Sequence, residues 1–298
     1  MFFLLALLLF IFSLQPRHAH AADIPLFYQL IEAYKPHTEL PTLSLTVNTP
    51  HTETIPKTVN PPIVASAGPS SLPVGGGETG ELVTIAVLGD SMIDTLGPNI
   101  FALQKAISRY YPTKKFKVLN YGAAATTIEY GLTRLTNSYQ YLGKTIPSLV
   151  SQSPDIVVIE SFAYNNFGNT QDGFNKHANS ISSIINTIHD QLPKAKVLLA
   201  STIAPNSLTF ANGAPDVQFS ALEKIEKATT IKTYLQNFLD YAKNHHIPFA
   251  DAYHPSLIQN EGNRQFINSK DNIHPSAYGG QFFCDTVAKA LFDNHLIP

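Results

Sequence analysis

Residues 82–94 read L-V-T-I-A-V-L-G-D-S-M-I-D. Of the seven residues before Gly89, all but Thr84 are apolar and β-branched residues are well represented, the signature of a strand buried on both faces of a parallel sheet. The run stops at Gly89, whose backbone is free to turn, and Asp90 or Ser91 can cap a helix that follows at once. Such a strand-to-helix turn stands at the sheet edge where open α/β folds bind ligands, with helical N–H groups close by. A serine hydroxyl placed there can act as a nucleophile.

Outward from this stretch the chain alternates. The sequence predicts helices over residues 99–110, 127–141, 174–192, 222–244 and 275–294, and further strands over residues 116–120, 155–160, 196–201 and 247–251. Within the third helix, Ala178, Ile181, Ile185, Ile188 and Leu192 recur three and four apart, the stripe of a helix packed on a sheet. Five alternations of strand and helix specify a five-stranded parallel sheet with right-handed crossovers and helices on both faces.

Composition narrows the function classes. The chain of 298 residues carries 20 Lys+Arg against 22 Asp+Glu, a net charge of -2, with no long run of either sign, so nucleic acid is not the expected partner. Hydrophobic residues make up 44% and charged residues 14%, enough for a large core. Cys284 is the only cysteine, which excludes an intrachain disulfide and a cysteine-rich metal site. The histidines, His245 and His246 included, show no convergent ligand spacing, so neither a metal nor another cofactor is expected.

The first residues are a different kind of sequence. An apolar run over residues 2–14, then Pro16, Arg17 and Ala19-His20-Ala21, reads as a signal peptide over residues 1–21 with cleavage after Ala21. No Lys or Arg precedes the run, so an uncleaved anchor is the alternative, and either way the protein is expected to be secreted or associated with the cell envelope. Residues 22–80 include a short amphipathic stretch at 24–34 and then a Pro/Thr/Gly-rich segment, expected to be a largely disordered linker. The folded domain is placed at residues 81–298.

Polar clusters follow the predicted strands and should converge on one sheet edge. After the first comes Gly89-Asp90-Ser91, and after the second Asn120-Tyr121-Gly122-Ala123-Ala124-Ala125-Thr126-Thr127. Ala163-Tyr164-Asn165-Asn166 follows the third, and Asp271-Asn272-Ile273-His274-Pro275-Ser276 opens the last helix. Asp271 and His274 are spaced so that the carboxylate can meet Nδ1–H and leave Nε2 as a base. These four blocks, in this order, resemble those of the SGNH or GDSL hydrolase family. The resemblance implies a three-layer α/β/α sandwich, flavodoxin-like, with strand order 2-1-3-4-5. It implies Ser91 as nucleophile, His274 as base and Asp271 as the acid that orients it, with the Ser91 N–H, Gly122 and Asn165 as oxyanion donors and no metal. Ala163, Asn166 and Ala125 depart from the residues common in the family.

Asp251-Ala252-Tyr253-His254-Pro255-Ser256 repeats the Asp-x-x-His-Pro-Ser pattern after the fifth strand, which makes His254 a competitor for the base. His274 is favoured because the family's pair lies in the last loop before the closing helix. Asp94 is given no catalytic role. The long connection from Pro205 to Phe219, with Leu208, Phe210 and Phe219, is a candidate substrate-covering loop. The expected activity is hydrolysis of acyl or acetyl esters of carbohydrates or lipids through an acyl-enzyme on Ser91. The alternatives are an acyltransferase using the same site and a glycan-binding or scaffolding protein with an idle site.

Overall fold

Alternate side chains of the first strand enter two different cores, and this divides the molecule into layers. The computed structural model describes residues 81–298; the expected signal peptide or anchor, the 24–34 stretch and the linker lie outside the described residues. In chain order the main elements are β1 (Leu82–Gly89), α1 (Ser91–Asp94), α2 (Phe101–Ser108), β2 (Lys115–Gly122), α3 (Ile128–Thr136), β3 (Tyr139–Tyr141), β4 (Lys144–Ile146) and β5 (Ile156–Glu160). They continue with α4 (Gln171–Gln191), β6 (Lys196–Ser201), α5 (Ala221–Asn244), β7 (Phe249–Asp251), β8 (Leu257–Ile258), β9 (Glu261–Gly262) and α6 (Ala277–Asp293).

The central sheet has the order β2-β1-β5-β6-β7, every pair parallel. Counting only its own strands, this is the 2-1-3-4-5 order of a doubly wound sheet. Val83, Ile85 and Val87 point to one face and join Leu103 and Ile107 of α2 with Phe283, Val287 and Leu291 of α6. Ala86 and Leu88 point to the other and join Ile128 and Leu135 of α3 with Ile181, Ile184, Ile185 and Ile188 of α4. Each fully buried Val, Leu or Ile contributes about 1.5–3 kcal/mol, so both faces of β1 are needed to hold the fold.

The departures from the sequence reading have local causes. The helix expected over residues 127–141 stops at Thr136, because Asn137 turns extended, and the chain then forms the β3–β4 hairpin. Its two turn residues, Leu142 and Gly143, both have positive φ, as a tight hairpin turn requires. The last helix begins at Ala277, two residues past Pro275, with Ser276 as its cap accepting from the Gly279 N–H. The fifth strand is shorter than expected at its start. Pro248 accepts from the Leu199 N–H but has no N–H to return. No helix among the described residues is long and apolar enough to cross a membrane.

Candidate active site

Gly89 ends β1 for want of space. A Cβ there would lie 2.3 Å from Ile93 Cγ1, and the glycine is not among those with positive φ, so room for the returning α1 helix is what the position demands. Asp90 caps that helix: its Oδ1 accepts the Met92 N–H at 2.8 Å. Ser91 is therefore the first residue of α1, held at the carboxyl edge of the sheet and largely buried, as the strand-to-helix reading expected.

The other oxygen of Asp90, Oδ2, accepts from Asn165 Nδ2 at 2.8 Å, which joins the first block to the third across the strand ends. Asn165 closes a short turn, Ala163–Asn165, that follows β5. Its amide has two N–H groups, and Asp90 takes one of them. Asn166 serves its own loop, donating to the Ala163 carbonyl and accepting from the Gly168 N–H. Beneath this pair lies Glu160, fully buried, accepting from Ser161 Oγ at 2.5 Å and from the Phe162 N–H at 3.0 Å. Burial and then the charge of Asp90 push the Glu160 carboxyl well above its ordinary range. Burial also pushes Asp90 up, against the Met92 and Asn165 hydrogen bonds and the charges of His274 and Arg134.

The second block does not hold Gly122 as a free donor. Its N–H donates to Asn120 Oδ1 at 2.7 Å, while Asn120 Nδ2 donates to the carbonyls of Ile93 and Gly97 at the end of α1. Gly122 is required for close approach: a Cβ would sit 2.2 Å from the Asp94 backbone nitrogen. Further along, the Ala123 N–H donates to the Gly89 carbonyl and the Ala124 N–H to Tyr141 Oη. Ala125 is the first residue past β2 whose N–H has no acceptor among the described residues, and its φ of 54° is left-handed. Glycine is the residue that takes such a backbone most readily.

Asp271 and His274 meet as the spacing predicts. Asp271 Oδ1 accepts the N–H groups of Ile273 at 2.8 Å and His274 at 3.0 Å, and Oδ2 lies 3.1 Å from His274 Nδ1. Burial alone would raise the Asp271 carboxyl; the hydrogen bonds and charge of His274, with the Ile273 N–H, outweigh it and hold the group below its ordinary value. The charge His274 carries when protonated acts on both Asp90 and Asp94, on either side of Ser91. Asp251 and His254 build the same local turn, with Nδ1 2.7 Å from Asp251 Oδ2. There, however, Nε2 faces Gln236 Oε1 of α5 at 3.0 Å, and the imidazole is more exposed.

Tyr164 fills the space between the blocks. It packs with Met92, Phe266 and Ile267 and donates to the Ile203 carbonyl. Burial, then the charges of Asp90, Glu160 and Asp271, push its phenol far up. Residues 206–220 lean on the histidine loop: the Ala211 N–H donates to the Asn272 carbonyl, and Asn272 Nδ2 donates to that of Asn212 at 2.8 Å. Leu208 of this segment is 73% exposed.

Two residues that brace these blocks escape sequence reasoning. Arg134, fully buried in α3, donates to the Tyr121 carbonyl, to the Gly89 carbonyl at 3.0 Å and to Thr126 Oγ1 at 3.2 Å, tying both strand ends to the second-block turn. Tyr141 is the other, and its hydroxyl reaches Asp94. No group of His, Cys, Asp or Glu among the described residues could hold a metal ion.

Comparison with known proteins places this arrangement. The model of the GDSL-like Lipase/Acylhydrolase family matches residues 87–282. Among solved structures, the chain is similar to the lipase/acylhydrolase from Enterococcus faecalis, with 18% identity, a TM-score of 0.49 and coverage of 71% of this chain and 96% of that one. It is also similar to an acetylxylan esterase from Geobacillus stearothermophilus, a catalytic mutant, with 13% identity, a TM-score of 0.48 and coverage of 70% and 94%. An acetyl xylan esterase whose structure is known matches at 16% identity and a TM-score of 0.49, covering 70% of this chain and 100% of its own. No curated protein is a sequence match to this chain. With the family model spanning all four blocks from β1 into α6, the chain belongs to the GDSL-like lipase/acylhydrolase family and is an ester hydrolase.

Proposed function

We propose that this esterase is exported and cleaves acyl or acetyl esters of carbohydrates or lipids through an acyl-enzyme on Ser91. The observation that supports it most is the Asp271–His274 pair, 3.1 Å apart, whose positive charge is felt by the residues flanking Ser91. Asp271 holds Nδ1–H, which makes Nε2 the nitrogen that serves Ser91. In acylation, the Ser91 oxygen adds to the ester carbonyl as its proton passes to His274. The tetrahedral intermediate collapses, and the alcohol leaves with that proton. A water molecule then gives a proton to His274 and adds to the acyl-enzyme, and Ser91 recovers the proton as the acid departs.

The oxyanion is received by the Ser91 N–H, the second amide N–H of Asn165 and the Ala125 N–H, the last taking the role expected of Gly122. Support for Ala125 comes from the hydrogen bonds that occupy the three preceding N–H groups. The connection from Pro205 to Phe219, which exposes Leu208 and meets the histidine loop through Ala211 and Asn212, forms the wall against which one half of the ester rests.

A panel of nitrophenyl esters from acetyl to palmitoyl, run on the parent, Ser91→Ala, His274→Ala and His254→Ala, tests the reading. Ser91→Ala and His274→Ala are expected to lose activity by about 10³-fold or more, and His254→Ala to keep it. An inactive His254→Ala beside an active His274→Ala reverses the assignment. Preference for acetyl points to carbohydrate esters, and preference for long chains to lipids. Export is tested by fractionation and N-terminal sequencing of the mature chain, which starts at Ala22 if cleavage follows Ala21.

A further inference from the structure

Resting on the site assignment above, we infer that Tyr141 and Asp94 are positioning residues that set the second-block turn against the helix bearing Ser91. One hydroxyl makes the connection. Tyr141 Oη accepts the Ala124 N–H at 2.9 Å and donates to Asp94 Oδ2 at 2.7 Å. Asp94 is the last residue of α1, and Ala124 precedes Ala125, whose N–H is the assigned oxyanion donor. The other anchors of the turn lie on Ala123 and Thr126. Ala125 itself is exposed and left-handed; Ala123 is held at its N–H by the Gly89 carbonyl and at its carbonyl by Thr126 Oγ1, and the Ala124 N–H by the phenol alone. Without the phenol, the Ala124 N–H loses its acceptor, and the Ala123 and Thr126 bonds alone are left to hold the peptide that carries the Ala125 N–H.

The β3–β4 hairpin exists to deliver this group. Tyr139 and Tyr141 lie on one three-residue strand, and the tight turn at Leu142 and Gly143 returns the chain to Ile146, in register opposite Tyr139. The Tyr141 ring packs on the core shared by α3 and α4, so the hydroxyl is presented from a fixed body. Burial of both partners pushes the phenol and the Asp94 carboxyl upward, and the phenol, a donor at neutral pH in any case, keeps its proton for Asp94. Asp94 meanwhile feels the charge of His274, so the clamp joins the turn to the helix within reach of that charge.

The test uses the full chain and three variants. Tyr141→Phe removes one oxygen and keeps the ring; Asp94→Asn keeps an oxygen to accept from the phenol; Asp94→Ala removes it. Two rates are read: kcat and KM on nitrophenyl acetate, and the second-order rate of Ser91 labelling by a fluorophosphonate, which makes the same demand on the oxyanion donors whatever the natural ester. Complete loss of one donor costs about 10²–10³ in rate, so a displaced donor should cost about tenfold or more. Tyr141→Phe and Asp94→Ala are expected to lose that much in kcat and in labelling with KM held within about twofold, as for an interaction made only in the transition state. Asp94→Asn is expected to restore at least a third of the parental rate, about what a retained acceptor should give, and the double variant Tyr141→Phe/Asp94→Ala to be no slower than either single one. Parental kcat in Tyr141→Phe, or a fall matched by lost thermal stability and not rescued in Asp94→Asn, overturns the clamp. Ser91→Ala is run beside them: if it stays active, the site assignment fails and the clamp with it, whereas an inactive Ser91→Ala with a parental Tyr141→Phe refutes the clamp alone.

Discussion

Replacing Asp271 by asparagine separates chemistry from architecture at this site. Oδ1 of Asp271 accepts the Ile273 and His274 N–H groups at 2.8 and 3.0 Å, and an asparagine oxygen can keep both bonds, so the turn should survive. Oδ2, 3.1 Å from His274 Nδ1, becomes an NH2 group that can only donate. Nδ1 must then accept, the proton moves to Nε2, and the ring presents a donor to Ser91 where a base is needed. A change of this type costs about 10⁴ in turnover, equivalent to about 5.5 kcal/mol of barrier. The cost to folding is much smaller: one charge-assisted bond is worth about 1.5–3 kcal/mol, less than the stability of a typical domain. The assay is kcat/KM on nitrophenyl acetate with circular dichroism of the same samples, and Asp251→Asn serves as the control, since it alters the twin turn in the same way. Asp271→Asn retaining more than about a tenth of parental activity, or Asp251→Asn losing more than Asp271→Asn does, would refute the tautomer argument. Linkage gives a second check. The Asp271 carboxyl lies below its ordinary value when folded, so its stabilisation is present above the unfolded pKa and fades as pH falls through the folded one. The thermal-stability gap between the parent and Asp271→Asn should therefore narrow below about pH 4.

Three other outcomes follow from the geometry. Asn165→Ala removes both the bond to Asp90 and the proposed oxyanion donor, and should lower kcat by a hundredfold or more, about 2.7–4 kcal/mol, in protein that remains folded. Gly122→Ala forces a Cβ to within 2.2 Å of the Asp94 backbone nitrogen; differential scanning calorimetry should show a loss of about 1–3 kcal/mol, and an unchanged melting temperature would show that α1 can shift freely. His177 is buried with Nε2 2.7 Å from the Ser161 carbonyl, and burial lowers its pKa to about 4. The unfolded chain takes up a proton near 6.5 and the folded one does not, so stability is lost as pH falls from about 6.5 to 4, by roughly 3 kcal/mol in all. His177→Gln should flatten that acid slope in urea titrations.

The sheet was legible because its central strands are largely buried on both faces and therefore nearly all apolar, as in residues 83–88, where Thr84 alone is polar. The β3–β4 hairpin was not, since the helical pattern of residues 128–136 runs on smoothly into Tyr139 and Tyr141. Leu142-Gly143 between two short β-prone runs was the signal available. Gly122 is expected as an oxyanion donor, but spacing cannot say which N–H is already bonded: Asn120 occupies that one, and the missing Cβ makes room for the Asp94 backbone. Arg134 reads as a surface residue of an amphipathic helix, because its partners are backbone carbonyls of two strands that only the tertiary fold supplies. The two Asp-x-x-His turns are alike in sequence and in local geometry. What separates them is their surroundings, with Gln236 at one and the residues flanking Ser91 at the other.

Cys284 sits fully buried in the core between β1, α2 and α6, and burial pushes its thiol up to about 12. A thiol so protonated and so enclosed is a poor target for alkylating reagents. Any cysteine introduced at an exposed position such as Leu208 would thus be the single reactive one in the folded domain. A fluorophore attached there could follow residues 206–220 during ester binding with no need to remove the native sulfur.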